Sequence, residues 1–298
     1  MFVRICIMFL VLLLSADPLW AEEVEDHAGR RVNVPDDPRR VVSLAPSITE
    51  MVFAVGRGGL LAGVTQFSNY PREAEKIPSV GSYVSLDIEK IVSLNPDLCL
   101  AIKDGNPLRV IRRLEELGIP VYAVDPTDLE SVIETIEKIG SLLDAENEAD
   151  KVAADMKKGL AEVQKKLSGI SRRPGVFFQI GANPVISAGS DTLIHELITR
   201  AGGRNLAGEH AGYPKYSTEE VLALSPEIIV VTSMNRQKAF EQVVRKWKQW
   251  KNLPAAANDR IYLVDSDIVD RPSPRLVEGL EELAGLIHPE RFNETGRN

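Results

Sequence analysis

The segment SLDIEKIVSLNPDLCLAIK at positions 85–103 returns in altered form as YSTEEVLALSPEIIVVTS at positions 216–233. A shift of 130 residues aligns the two copies and places Asp87 on Ser217 and Glu89 on Glu219. In each copy a residue that can cap a helix precedes about seven helix-forming residues, and an Asn-Pro or Ser-Pro pair then leads into an apolar run. The pattern predicts a short helix followed by a buried strand, present twice in one chain.

Short apolar runs alternate with amphipathic stretches around both copies. Predicted strands lie at 40–45, 60–65, 98–102 and 121–125, and the pattern restarts at 175–180, 227–232 and 260–265. Strands that alternate with helices predict a mostly parallel sheet covered by helices. The expected fold class is therefore α/β, with two Rossmann-like lobes that each contain one copy of the repeat.

Positions 145–170 lie between the predicted lobes and contain no proline. Apolar residues recur there at steps of three and four, at Val152, Met156, Leu160, Val163 and Leu167. One stripe over about 26 helical positions predicts a single interlobe helix of roughly 39 Å, although Gly159 costs about 1 kcal/mol relative to Ala. The predicted organisation is an N-terminal lobe at 22–143, the helix at 144–170 and a C-terminal lobe at 171–298. One more surface helix within a single domain is the alternative.

Residues 1–21 have a different composition. Arg4 precedes an apolar run at 5–14, and Ala21 stands just before the acidic segment EEVED. This pattern is typical of a secretory signal peptide cleaved after Ala21, because the apolar run is about half as long as a membrane-spanning helix requires. Cys6 precedes the apolar run, so we expect no lipid anchor. Cys99 is then the sole cysteine, so no disulfide framework is expected and stability must come from core packing. We expect the mature protein to be a soluble monomer in the periplasm.

Composition and motifs exclude several classes of function. The net charge of −8 argues against general binding to nucleic acid, which needs an excess of Lys and Arg on one face. The sequence has no glycine-rich nucleotide loop, no C-x-x-C pair and no H-E-x-x-H zinc motif, and its four histidines are scattered. We therefore expect neither a resident metal nor a catalytic cofactor.

The run from position 40 to 106 resembles the N-terminal lobe of the periplasmic cobalamin-binding proteins that feed ABC importers. The resemblance continues through VFFQIGANPVISAG at 176–189, the second copy of the repeat and SDIVDRPSPRL at 266–276. It covers nearly the whole mature chain. The wider group also includes receptors for ferric siderophores and haem, and its members have two α/β lobes joined by one long helix with the ligand between the lobes.

The resemblance implies a set of ligand-binding positions. The corrin-lining positions fall on Phe67, Tyr83, Ile102, Ile180 and Tyr213, with polar contacts at Asp267 and Arg271. Aromatic and aliphatic side chains can cover the apolar faces of a corrin while charged groups hydrogen-bond to its amide rim. Loop packing of the tyrosines and a local four-apart ion pair between Asp267 and Arg271 are the alternatives.

The resemblance also implies that Glu89 and Glu219 dock the protein on its permease. The internal repeat aligns the same two residues independently of the resemblance. Because a carboxylate in the first turn stabilises a helix by about 0.3–1 kcal/mol in any protein, helix stabilisation is the alternative.

The expected function is capture of cobalamin or a related corrinoid and delivery to an inner-membrane ABC importer, with no chemical step. A ferric-siderophore or haem receptor of the same fold is the first alternative, and it leaves open whether His210 contacts the ligand metal. A two-lobed enzyme would need a cluster of perturbed acids or bases in the cleft, where the sequence offers only Asp267 and Arg271. A sensor or structural partner in an envelope complex is a further alternative.

Overall fold

A computed structural model describes residues 21–233 and 237–292. The predicted signal peptide, apart from Ala21, lies outside the described residues. Within these ranges, no helix has the length and apolar character that crossing a membrane requires. The strands are β1 Ala21–Glu25, β2 Arg31–Pro35, β3 Val41–Ser43, β4 Leu61–Gly63, β5 Gly81–Ser82, β6 Ser85–Leu86, β7 Leu98–Ile102, β8 Val121–Val124, β9 Gly175–Gln179, β10 Gly181–Ala182, β11 Val185–Ile186, β12 Arg204–Asn205, β13 Lys215–Tyr216, β14 Ile228–Ser233 and β15 Ile261–Asp265.

Helices follow most of these strands. They are α1 Pro46–Ala54, α2 Ile88–Ser93, α3 Leu108–Glu116, α4 Leu129–Leu142, α5 Glu146–Lys166, α6 Leu193–Arg200, α7 Thr218–Leu224, α8 Gln237–Lys248, α9 Pro254–Ala257, α10 Ser266–Val269, α11 Leu276–Ile287 and α12 Pro289–Phe292. Two 3₁₀ turns lie at Gly58–Leu60 and Arg72–Lys76.

A four-stranded parallel sheet forms the centre of each lobe. The strand order is β4-β3-β7-β8 in the N-terminal lobe and β12-β9-β14-β15 in the C-terminal lobe. Every pairing within the two sheets is parallel. In both lobes the first strand in sequence lies second in the sheet, so the lobes share one topology, and the predicted α/β fold class is confirmed.

The repeated segment forms the same structure in both lobes. Asp87 caps α2, and Ser217 caps α7 in a reciprocal capping box with Glu220. A residue in the left-handed region follows each helix, since Asn95 with φ 46° lies two positions after the end of α2 and Ser225 with φ 50° lies directly after α7. The two residues are 130 positions apart. The predicted helix followed by a strand is confirmed for both copies.

The residue after the proline of each copy joins two strands of its sheet. The carboxylate of Asp97 accepts a hydrogen bond from the backbone N–H of Arg40 at 3.0 Å, just before β3. The carboxylate of Glu227 accepts one from the N–H of Gly175 at 3.0 Å, at the start of β9. The duplication therefore extends from helix caps to strand pairing, and it gives the two sheets the same local geometry.

Helix α5 links the lobes. It contacts α1 and α4 of the N-terminal lobe and α11 of the C-terminal lobe. Its 21 residues span about 32 Å, which is less than expected, because the chain turns after Leu167 and Gly169 takes a positive φ of 74°. The predicted C-terminal end of the helix at 170 is therefore wrong, whereas the division into lobes at 22–143 and 171–298 remains a prediction.

One continuous apolar core spans α5 and the facing sides of both sheets. It includes Val41 of β3, Met156 of α5 and Val176 of β9, all buried. A separate core covers the other side of each sheet. Because side chains of both lobes pack in the same core, the lobes are not independent bodies on this side of the molecule.

Gly159 lies where α5 meets α11. A Cβ atom at this position would come within 2.4 Å of Cγ1 of Val277, a contact that real structures essentially never show. The glycine therefore permits the close approach of the interlobe helix to the C-terminal lobe, which explains an otherwise unfavourable residue within a helix.

We predict that Gly159→Ala lowers the free energy of unfolding by about 1–3 kcal/mol, because the β-branched side chain of Val277 has little freedom to move away. Gly285→Ala in α11 is the matched control, since its Cβ would lie 3.6 Å from Phe292 in ordinary contact. Gly285→Ala should raise the free energy of unfolding by about 0.5–1 kcal/mol. Urea denaturation followed by circular dichroism measures both values, and a Gly159→Ala variant as stable as Gly285→Ala would contradict the close approach.

Candidate functional site

The predicted ligand-binding residues lie at the carboxyl ends of the strands in the two sheets or in loops beside them. Open parallel sheets bind ligands at this edge, because the connections leave a crevice there. In the N-terminal lobe these residues are Phe67 after β4, Tyr83 between β5 and β6, and Ile102 at the end of β7. In the C-terminal lobe they are Ile180 after β9, Tyr213 before β13, Asp267 in α10 and Arg271 after α10.

Asn106 organises the N-terminal side of the cleft. Its side-chain N–H groups donate to the carbonyl oxygens of Leu44 and Tyr83 at 2.8 and 2.9 Å, and its Oδ1 accepts from the N–H of Ile102 at 2.8 Å. A Cβ atom on Gly105 would meet both Ile102 and the ring of Tyr83. The structure therefore brings Tyr83 and Ile102 together, and Asn106 is a supporting residue that the sequence did not identify.

Tyr213 belongs to the C-terminal lobe, in the loop before β13. Burial of its hydroxyl raises the pKa of Tyr213, and the negative charges of Asp270 and Asp191 and then the phenol of Tyr83 act in the same direction. The influence of Tyr83 on this pKa indicates that the two phenols, which come from different lobes, lie near each other. Tyr213 is nevertheless 60% exposed, so the residue remains accessible to solvent.

Asp267 and Arg271 form a polar end of the cleft. Oδ1 of Asp267 lies 2.6 Å from Nη2 of Arg271, which is the four-apart ion pair considered as an alternative. Arg271 also donates to Oδ1 of Asn69 at 2.8 Å and to the carbonyl oxygen of Phe67 at 3.1 Å. Nδ2 of Asn69 donates in turn to Oδ2 of Asp267 at 2.9 Å. These contacts join the loop after β4 of one lobe to the segment after β15 of the other.

Glu50 of α1 lies beneath this polar end, and its side chain is 2% exposed. Its Oε1 accepts from Nη1 of Arg271 at 3.0 Å and from Nη2 of Arg275 at 2.9 Å. Its Oε2 accepts from Oγ of Ser273 at 2.7 Å and from Nε of Arg275 at 3.0 Å. All four donors belong to the C-terminal lobe, so the buried carboxylate of one lobe is satisfied entirely by the other.

Sequence reasoning missed Glu50, although the sequence contains a signal for it. Helix α1 reads PSITEMVFA, and Glu50 is the one charged residue among buried neighbours. A carboxylate in such a position is retained only when hydrogen bonds and positive charge compensate for its burial. The same reasoning applies to the two arginines of the segment DRPSPR at 270–275.

Arg275 links Glu50 to the loop after β4. Its guanidinium lies 4.1 Å from the ring centroid of Tyr70, a cation–π contact between the lobes. Burial acts to lower the pKa of Arg275, but the hydrogen bonds and charge of Glu50 outweigh burial, so the pKa lies above its usual value. Arg275 therefore stays charged, and its observed contacts are with other protein groups.

Asp270 is a second unusual acid at this end. Burial raises the pKa of Asp270 to about 7, against the effect of a hydrogen bond from the Thr232 side chain. Its Oδ1 is hidden from solvent and has no hydrogen-bond partner in the described part of the chain. The carboxyl group can therefore change its charge near neutral pH.

Glu89 and Glu219 lie away from these contacts. Each is the second residue of its helix, α2 or α7, and each side chain is exposed. Neither makes an ion pair within residues 21–233 and 237–292. The structure thus leaves one exposed carboxylate at the same place on each lobe.

No metal centre is evident in the ranges that the structure describes, where no group of three or more His, Cys, Asp and Glu side chains could hold an ion. His210 packs instead against the ring of Tyr216, with 6.0 Å between ring centroids. Two cavities of about 460 and 410 Å³ lie at the C-terminal end of α5, and none of the predicted ligand-binding residues lines them.

Comparison with known proteins links this geometry to one family. A family model described as "Periplasmic binding protein" matches residues 41–268. The chain is 35% identical over 277 residues to the uncharacterized ABC transporter substrate-binding lipoprotein YvrC of Bacillus subtilis, with coverage of 91% of this chain and 87% of the relative. It is 32% identical to the vitamin B12-binding protein of Vibrio parahaemolyticus, with coverage of 82% and 87%. A periplasmic heme-binding protein of Pseudomonas aeruginosa superposes with a TM-score of 0.76 at 29% identity, with coverage of 85% and 93%.

We predict that Asp270 makes stability depend on pH. Because its pKa rises from 3.8 to about 7 on folding, the folded state binds an extra proton between these values and loses stability as the pH rises through them. The free energy of unfolding of Asp270→Asn, measured relative to that of the natural protein, should therefore increase from pH 4 to pH 7 and then stay constant.

Asp128→Asn is the control of opposite sign, because hydrogen bonds from Ser131 lower the pKa of Asp128. That variant should lose stability relative to the natural protein as the pH rises through about 3.8. Urea titrations at a series of pH values measure both differences. An Asp270→Asn difference that does not vary with pH would show that Asp270 titrates normally.

Proposed function

The chain belongs to the periplasmic binding protein family, and we propose that it captures cobalamin or a related corrinoid and delivers it to an ABC importer of the inner membrane. The observation that carries the proposal is that each lobe contributes a tyrosine, Tyr83 or Tyr213, and that the two lie near enough for Tyr83 to raise the pKa of Tyr213. The relationship to vitamin B12-binding proteins supports the same ligand class.

A corrin fits the chemistry of this cleft. The macrocycle has two broad apolar faces, and an aromatic ring on each side can cover both of them. Ile102 and Ile180 are partly buried against the core at the carboxyl ends of β7 and β9, where they would add apolar surface to the cleft. The amide fringe of a corrin can hydrogen-bond to Asp267 and Arg271 at the polar end.

Haem or a ferric siderophore is the second candidate. The phenol oxygens of Tyr83 and Tyr213 favour it, because tyrosine oxygen is a known axial ligand of haem iron. The related heme-binding protein supports the same idea. The two candidates differ in the use they make of tyrosine, since a corrin needs its ring whereas ferric iron needs its oxygen.

The remaining parts of the proposal follow from a role in transport. The protein binds and releases its ligand without a chemical step, acts as a monomer and carries no cofactor of its own. Cleavage after Ala21 would leave it soluble in the periplasm, whereas the B. subtilis relative is named a lipoprotein.

We predict that the double variant Tyr83→Ala, Tyr213→Ala binds cyanocobalamin more weakly by about 2–4 kcal/mol, because each ring removes a large apolar contact. The double variant Tyr83→Phe, Tyr213→Phe should keep affinity within about 1 kcal/mol, because it retains both rings and loses at most modest hydrogen bonds. Calorimetry and the visible spectrum measure binding of cyanocobalamin, hemin and a ferric siderophore in parallel.

Several outcomes would overturn the corrinoid proposal. One is binding of hemin or the ferric siderophore by the natural protein with no heat from any corrinoid. Another is loss of ligand binding in the Phe variant together with loss of a charge-transfer band, since this would indicate coordination of iron by a tyrosine oxygen.

Delivery to a permease requires one orientation of the cleft. We propose that Glu89 and Glu219 define it by pairing with basic residues of the permease, one contact for each lobe. Exposed ion pairs contribute only about 0.2–1 kcal/mol each, so their main effect is on orientation and choice of partner.

We predict that Glu89→Arg, Glu219→Arg abolishes uptake while ligand affinity in solution changes less than about twofold. The matched control is Glu130→Arg, Glu148→Arg. Both control residues are exposed in the first turn of a helix, and Glu130 is the second residue of α4, the position that Glu89 and Glu219 occupy in α2 and α7. Uptake of labelled corrinoid into vesicles containing the permease distinguishes docking from helix stabilisation, because the control has equivalent effects on its helices. Wild-type uptake by the first variant would contradict the docking role.

A further inference from the structure

Arg271 has nearly all of its donors engaged within the protein. A guanidinium has four N–H bonds on its terminal nitrogens and one on Nε. Nη1 donates to Glu50 and Asn69, and Nη2 donates to Phe67 and pairs with Asp267. A ligand that makes more than one hydrogen bond with Arg271 must therefore displace one of these partners.

The partners differ in how readily they can be displaced. Glu50 is buried, and three further hydrogen bonds from Ser273 and Arg275 hold its carboxylate in place. Asn69 is exposed, and its side-chain amide is hydrogen-bonded only to Arg271 and Asp267 within the described ranges. The Asn69 amide is therefore the partner that a ligand displaces at least cost.

The contacts of Asn69 also reveal what the polar end recognises. Its carbonyl oxygen accepts from Arg271, and its NH₂ group donates to Asp267. This pair of contacts satisfies both ends of one primary carboxamide. A carboxylate would satisfy Arg271 but would place a negative charge against Asp267, with the buried negative charge of Glu50 behind Arg271.

We infer that the side-chain amide of Asn69 occupies the position between Asp267 and Arg271 that an amide of the ligand would take, and that it competes with the ligand for this site. Glu50 is a positioning residue that keeps Arg271 directed at the site. The inference rests on the proposed function, and it specifies the chemistry: the site selects ligands fringed with amides over ligands fringed with carboxylates, such as the propionates of haem.

Calorimetric titration with cyanocobalamin tests the competition. Asn69→Ala should tighten binding about three- to tenfold, because the ligand no longer displaces an internal hydrogen-bonded amide. Asn33→Ala is the control, since Asn33 is an exposed asparagine in β2 and should leave affinity unchanged. Weaker or unchanged binding by Asn69→Ala would overturn the competition.

Glu50→Gln tests the anchor. Loss of the charge that holds both arginines should weaken cyanocobalamin binding about tenfold or more, and Glu50→Asp, which keeps the charge, should recover part of it. Glu196→Gln is the matched control, because Oε2 of Glu196 accepts from the N–H of Leu129 at 2.8 Å and so joins the lobes without touching either arginine. An equal loss of cyanocobalamin affinity in Glu50→Gln and Glu196→Gln would contradict the positioning role, because it would show that Glu50 acts only as a general contact between the lobes. If Glu50→Gln does not fold, Glu50→Asp and Asn69→Ala still provide the test.

Selectivity provides the third readout. Cobalamin monocarboxylic acids, in which one peripheral amide is hydrolysed, should include one isomer that binds about tenfold or more weakly than cyanocobalamin. Asp267→Asn should remove that difference, and equal binding of every isomer would contradict an amide site.

A ligand-free measurement separates this inference from the proposed function. Hydrogen exchange of the protein alone should rise at 66–71 and 267–275 in Glu50→Gln, and only near the start of α4 in Glu196→Gln. If the natural protein binds no corrinoid, the proposed function fails while the exchange pattern still tests the anchor. Unchanged exchange at both segments in Glu50→Gln would overturn the anchoring role.

Discussion

The carboxylate of Glu50 is the constraint on which the geometry of the cleft depends. A charge that is 2% exposed persists only if hydrogen bonds and opposite charges replace water. Because the other lobe supplies every one of its observed partners, the lobes must meet in one orientation at this point. Removal of one partner from such a buried pair typically costs about 3–5 kcal/mol, whereas an exposed pair contributes less than about 1 kcal/mol. The polar end of the cleft is thus fixed more strongly than any surface contact could fix it.

Helix α5 and the duplicated topology complete this arrangement. The shared apolar core holds the lobes together along α5. The hydrogen bonds of Glu50 with Arg271, Ser273 and Arg275 hold them together at the polar end of the cleft. Since both sheets have the same strand order, their carboxyl edges both contribute to the cleft with equivalent loops. The same duplication puts one exposed glutamate on each lobe, so a single feature of the sequence accounts for the cleft and for the proposed docking points.

Local patterns in the sequence were sufficient for the fold and for only part of the site. Strand β7 coincides with the predicted 98–102, and both repeat helices have the predicted caps, because strand burial and helix capping depend on neighbouring residues. The end of α5 was misplaced, because apolar spacing continues to Leu167 whereas the backbone turns at Gly169. Glu50 and Arg271 lie 221 positions apart, and no local pattern indicates such a pairing. Asn69 was missed for the same reason, because its role depends on Asp267 and Arg271, two partners that are distant in sequence.

In the proposed complex a corrinoid lies between the two lobes, with a tyrosine on each face and one amide at the polar end. A crystal structure of the protein with cyanocobalamin would reveal this arrangement. We expect corrin density between Tyr83 and Tyr213, one peripheral carboxamide between Asp267 and Arg271, an unmoved Glu50 and a displaced side chain of Asn69. Corrin density at the cavities beside the end of α5, or a cleft in which Asn69 still bridges Asp267 and Arg271 beside bound ligand, would contradict it.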